Sequence, residues 1–138
     1  MIELVVVILL MGVMATIAIP RMTSPTALRE RGVQDQLRAM LRHSRKLAVS
    51  QQRDVCVLLQ PAQLRVVYTN AVGCNAAAPV AEPGSTAPFV APVPAGVVLG
   101  GVAAVRFNRN GQPVPNADQV VNVGAQAFTV SRETGLVF

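Results

Sequence analysis

MIELVVVILLMGVMATIAIP, residues 1–20, sets a single acid, Glu3, ahead of sixteen uncharged residues, Leu4 to Ile19. Drawn as a helix, residues 1–19 reach roughly 28 Å at about 1.5 Å per residue, close to the ~30 Å hydrocarbon core of a bilayer. Only Gly12 and Thr16 interrupt its apolar surface, whereas a helix buried in a globular core is usually shorter and carries a polar stripe. A cleaved secretory signal begins basic and has a shorter apolar centre, and this start is acidic. The stretch therefore reads as a retained membrane helix. Pro20 lacks an N–H and its ring crowds the carbonyl of Thr16, so the helix is expected to kink or open there.

The remaining residues leave room for one modest domain, because the chain has 138 residues in all. Eleven Arg and one Lys against seven acids give a net charge of +5, compatible with lipid head groups or nucleic acid as anionic partners. With two cysteines and one histidine, His43, the sequence holds little material for a metal site or a nucleophile–base pair. No catalytic residue, metal ligand or cofactor site is assigned. Arg21, Arg29 and Arg31 follow the apolar run and would by the positive-inside tendency hold the domain in the cytoplasm. Cys56 and Cys74, in a predicted strand and the loop after it, suit instead a disulfide in an oxidising compartment. A chain that naturally begins earlier, with a short basic leader, reconciles the two.

Ser24-Pro25 reads as a break and a fresh start, since Ser can cap a helix and Pro is tolerated in its first turn. From Leu28 to about Gln52, Val33, Leu37, Met40, Leu41 and Ala48 form one apolar stripe that needs a sheet to cover it. Arg31, Arg38, Arg42, Arg45 and Lys46 occupy the rest of the surface, and Asp35 is placed to pair with Arg31 or Arg38. DVCVLLQ (54–60) and LRVVYT (64–69) read as a hairpin, being rich in β-branched residues and joined by a link that contains Pro61. Residues 70–96 are too rich in Pro, Gly and Ala for any long regular element and read as a long loop. Short extended segments follow at 97–99, 104–108, 120–123, 126–131 and 135–138, with Asn110-Gly111 and Thr134-Gly135 as tight turns. The expectation is an α+β fold: a long N-terminal helix, half membrane and half amphipathic, packed on an antiparallel β-sheet head. Its divisions are 1–24, 25–52 and 53–138.

The segment IELVVVILLMGVMATIAIP resembles the N-terminus of type IV pilins and type II secretion pseudopilins, with acid, apolar run, Gly12 and Pro20 at the family's spacings. In that family a prepilin peptidase removes a basic leader ending in Gly. The mature chain then opens on a methylated Phe, followed by Thr or Ser, two aliphatic residues and Glu. Ile2 and Glu3 occupy the last two of those places, Met1 stands where the first aliphatic residue would be, and the leader, the Gly and the Phe are absent from this sequence. RFNRNGQP (106–113) and the closing AFTVSRETGLVF (127–138) are similar to the H-type minor pseudopilin domain and to minor pilins of the mannose-sensitive haemagglutinin type.

The resemblance implies a structural, non-enzymatic subunit in the bacterial inner membrane, single-pass with a periplasmic head, that moves into a pilus or pseudopilus. Its implied partners are other pilin or pseudopilin subunits, the inner-membrane assembly platform, and a prepilin peptidase acting on the full-length precursor. Glu3, which on its own would sit among head groups near the positive end of the helix dipole, becomes the acid that neutralises the N-terminal amine of an adjacent subunit. The stretch from Gly12 to Pro20 becomes the place where the helix unwinds in the filament. The alternative is a minor pilin that binds DNA or a surface. Nucleic acid is the weaker expectation, because the C-terminal region offers only Arg132, beside Glu133, and no basic-aromatic alternation occurs. A hydrolase would need a base near a nucleophile, and His43 stands on a basic helix with no G-x-S-x-G turn in the sequence.

Overall fold

The computed structural model describes residues 2–18, 25–69, 74 and 78–138. Helix α1 runs Ile2–Ala18 and helix α2 Pro25–Gln51. Proline at the first helical position of α2 costs no hydrogen bond, because that N–H would have no partner within the helix anyway. Pro20 and Ser24, to which the sequence assigns a kink and a cap, lie outside the described residues. At its other end α2 stops without glycine. Gln52 takes a left-handed φ of 52°, the Arg53 N–H donates to the Ala48 carbonyl at 3.3 Å, and the Gln52 side-chain amide donates to the Val49 carbonyl at 2.9 Å. This is the hydrogen-bonding of a Schellman cap, with a side chain covering one further orphan carbonyl.

Each member of the α2 stripe (Val33, Leu37, Met40, Leu41, Ala48) is buried, together with the polar Gln34 and Ser44. The covering sheet is built on β1 (Val55–Leu59) and β2 (Gln63–Tyr68), the expected hairpin, in a register that sets Leu59 opposite Leu64 and Val55 opposite Tyr68. The far edge of β2 is shared by two short strands from the Pro-rich stretch, β3 (Ala78–Pro79) and β4 (Val90–Pro92), so this part of the loop lies along the sheet as an edge. Segments this short, with Pro at the edge, offer little backbone for unwanted pairing.

The closing third departs from a single sheet. Strand β6 (Ala104–Phe107) crosses to the open side of β1, pairing Phe107 with Val55 and Val105 with Val57, and β7 (Pro113–Val114) flanks it. Strands β5 (Leu99–Gly101), β8 (Gln119–Val123) and β9 (Gln126–Val130) form a second antiparallel sheet, extended by a bridge between Val130 and Val137. Both sheets feed one core. Val55, Val57, Leu64, Val66, Val105 and Phe107 from the first meet Val121, Val123, Phe128 and Val130 from the second beside the α2 stripe. Arg38 does not pair with Asp35: its guanidinium lies over the Phe128 ring, 5.5 Å from the centroid, and Asp35 forms no ion pair among the described residues. A cation over an aromatic face that also packs its aliphatic stem is favoured over an exposed i, i+3 pair.

Candidate functional site

Helix α1 is apolar on every side, and none of its side chains from Ile2 to Val13 is covered by the rest of the chain. Exposure runs from 82% at Ile2 to 50% at Val7, with no buried face between them. Soluble chains do not leave so continuous an apolar surface in water, so this helix is shaped for a non-aqueous neighbour. At 17 residues α1 reaches about 25 Å. Among the described residues no helix is long and apolar enough to cross a membrane.

Glu3 lies in the first turn of α1, exposed, where unpaired N–H groups and the helix dipole favour an anion. Gly12 stands nine residues later, two and a half turns on, so the two residues face opposite sides of the helix and are about 13 Å apart along it. A Cβ added at Gly12 would touch nothing. Packing within the chain therefore gives no reason for glycine there.

Cys56 and Cys74 are joined by a disulfide, with 5.7 Å between their Cα atoms. Cys56 is fully buried opposite Val67, on the face of β1 and β2 turned away from α2, so the bridge ties residue 74 to that second face. The rest of the sheet's edge is held from the helix side. Phe89, just before β4, presents its ring edge-on to His43 of α2 at 5.6 Å and 81°, and its backbone bonds to both Val66 and Val80. Sequence reading placed His43 on a basic helix and gave Phe89 no role; no local signal pairs two residues 46 positions apart.

Burial, and secondly the charge of Lys46, lower the His43 imidazole below its ordinary value. Folding therefore favours the neutral ring, and the stability this brings is complete above about pH 6.5 and is lost as the pH falls through the unfolded and then the folded value. The melting temperature should accordingly decline from pH 7.5 to pH 5, and His43→Phe should flatten that decline. An unchanged slope in the variant would remove His43 as its cause.

No family model matches the chain, and no curated protein matches it. Two solved structures do, both of the type IV minor pilin FimU of Pseudomonas aeruginosa in different crystal forms. One has a TM-score of 0.59 at 19% identity over 78% of this chain and 85% of that one. The other has a TM-score of 0.57 at 18% identity over 78% and 90%. The chain shares its fold with a type IV minor pilin. That shared fold is α+β, an N-terminal helix with an antiparallel β head.

Proposed function

We propose that this chain is a structural subunit of a type IV pilus or a type II secretion pseudopilus, assembled through α1 and displaying its β head outside the filament core. The observation that carries this reading is the all-round exposure of α1 on a chain whose head has the minor-pilin fold. Each apolar side chain moved from water into a packed or lipid setting contributes about 1.5–3 kcal/mol, so the unbroken run from Leu4 to Met11 supplies ample driving force for sheathing by neighbouring helices. No catalytic step enters this function. The partners are other subunits of the filament and, for the precursor, the assembly platform and prepilin peptidase. Residues 1–24, rather than α1 alone, would anchor the subunit in the inner membrane before assembly. A periplasmic head accords with the Cys56–Cys74 bridge, since disulfides persist in oxidising compartments. Within the class, an H-type or mannose-sensitive haemagglutinin-type minor pilin is the subtype suggested by residues 106–113 and 127–138.

Glu3 and Gly12 serve different contacts in this scheme, because they face opposite sides of α1. Glu3 meets the N-terminal amine of one neighbour, and Gly12, with Pro20 beyond the described residues, lets the helix loosen. A hydrogen bond to a charged group is worth about 1.5–3 kcal/mol, so Glu3→Ala in the full-length precursor should lower recovery in sheared filaments by roughly tenfold or more. Membrane-fraction levels should stay the same. Wild-type recovery of the Glu3→Ala protein would refute the assembly role of this residue.

A further inference from the structure

We propose that a pocket at the C-terminal end of α2 binds one carboxylate side chain, presented by an acidic segment of a partner protein, with Arg45 and Lys46 as its cations. The pocket holds about 290 Å³ and is lined by Arg45, Lys46, Val49 and Ser50. Among the described residues neither cation takes part in an ion pair, and no acid lines the space.

The site is built from chain segments far apart in sequence. The turn at Asn108–Gln112 is closed by Asn108, whose side-chain oxygen accepts from the N–H groups of Asn110 and Gln112 at 3.0 Å each. The closing turn is formed by Ser131–Leu136, where the Gly135 N–H donates to the Ser131 carbonyl at 2.8 Å. Both turns rest on the stem of Arg45. A Cβ at Gly111 would lie 3.3 Å from its Cγ and Nε, and one at Gly135 would lie 3.2 Å from its Cδ while running into the Gly111 carbonyl oxygen. Positive φ values of 78° and 64° add a second reason for glycine at these two places. The Gln112 side chain links the turns by donating to the Glu133 carbonyl at 3.4 Å. Clasped in this way, Arg45 has lost solvent from its Nε without gaining a partner for it. With its Nε covered by the turns, as those of Arg38 and Arg106 are covered elsewhere, Arg45 can offer the pocket only its terminal nitrogens, and a planar carboxylate is the acceptor that these fit best.

Two features choose a carboxylate over a phosphate. The pocket sits at the negative end of the α2 dipole, where carbonyls rather than N–H groups point outward, and concentrated anionic charge is disfavoured. Two of those carbonyls, of Leu47 and Val49, are already occupied by Ser50 Oγ and Gln52 Nε2. Val49, exposed on the floor, suits the aliphatic stem of an acidic side chain or an apolar residue next to it. This contact uses the head alone and does not depend on the role proposed for α1.

The test is a titration of the ¹⁵N-labelled full-length chain in detergent micelles with a blocked Val-Glu-Val tripeptide, its Val-Gln-Val counterpart, and inorganic phosphate. Saturable shifts of the Arg45 Nε–H and of the Gly111 and Gly135 amides are expected with the Glu peptide, with a dissociation constant on the order of 1 mM and roughly tenfold weaker binding of the Gln peptide. Arg45→Gln would also loosen the two turns, so exposed Lys46 gives the second variant: Lys46→Gln should leave the fold intact and weaken the Glu peptide about threefold or more. Equal response to both peptides, tighter binding of phosphate, unchanged affinity in Lys46→Gln, or no saturation by about 20 mM peptide would each overturn the proposal.

Discussion

Phe107→Ala should lower the stability of the head by about 3–5 kcal/mol, the usual range for an aromatic side chain removed from a packed core. Phe107 is fully buried and is the largest side chain that is. On β6 it stands opposite Val55 of β1 on one side and Pro113 of β7 on the other, within the core it shares with the α2 stripe. Its removal leaves a cavity bounded by strands on two sides, which cannot close inward without breaking the β1–β6 register. In a domain whose whole stability is about 5–15 kcal/mol, such a loss displaces much of the population toward the unfolded state at modest urea. The urea midpoint should fall with little change in slope, and a loss below about 1 kcal/mol would show that Phe107 does not hold the sheets to the helix.

The second large effect is expected from the disulfide. Replacing both partners, Cys56→Ala with Cys74→Ala, should cost about 2–4 kcal/mol, because the bridge closes a loop of 18 residues in the unfolded chain and constrains that state most. Alanine at 56 leaves no polar atom on the buried face next to Val67, so the change isolates the cross-link from a buried-hydroxyl penalty. Reductant should lower the melting temperature of the wild-type protein toward that of the double variant and leave the double variant where it is. Loss of stability on reduction in the double variant as well would place the sensitivity elsewhere.

The parts of the fold that depend on local repetition could be read directly. The α2 stripe is a matter of residues three, four and seven apart, and each of its five apolar members is buried. The β1–β2 hairpin needs only two β-branched runs and a short link. Asn110-Gly111 and Thr134-Gly135 mark turns because a positive φ is cheap for glycine, and both glycines adopt it. The stop of α2 was less visible, since Gln52 is a poor advertisement for a left-handed cap and is held there by its own amide on Val49.

Strand partnership could not be read this way. Segments 97–99, 104–108, 120–123 and 126–131 have the same alternating look, yet 104–107 joins β1, while 120–123 and 126–130 make a separate sheet with β5, which begins only at Leu99 and leaves 97–98 outside any strand. Nothing in a four-residue strand specifies its partner; the choice is made by which arrangement lets Phe107 and Phe128 both reach α2. The same holds for the loop at 78–92, whose two short strands are strands only because the edge of β2 needs covering. Arg45 is the sharpest case. As a letter in a basic helix it resembles its neighbours, and only the meeting of turns from residues 108–112 and 131–136 removes water from its Nε.

The sequence alone determined the character of α1. A run from Leu4 to Ile19 without a charge is apolar on every face whatever surrounds it, and Glu3 is its one acid wherever the helix is placed. Tertiary structure alone decided what covers each cation, as Phe128 covers Arg38 and the two turns cover Arg45, and left a buried Nε without a partner in both. The physical reason is range: hydropathy belongs to each residue and adds along the chain, whereas desolvation of a charge depends on what folds over it, and those groups come from anywhere in the sequence.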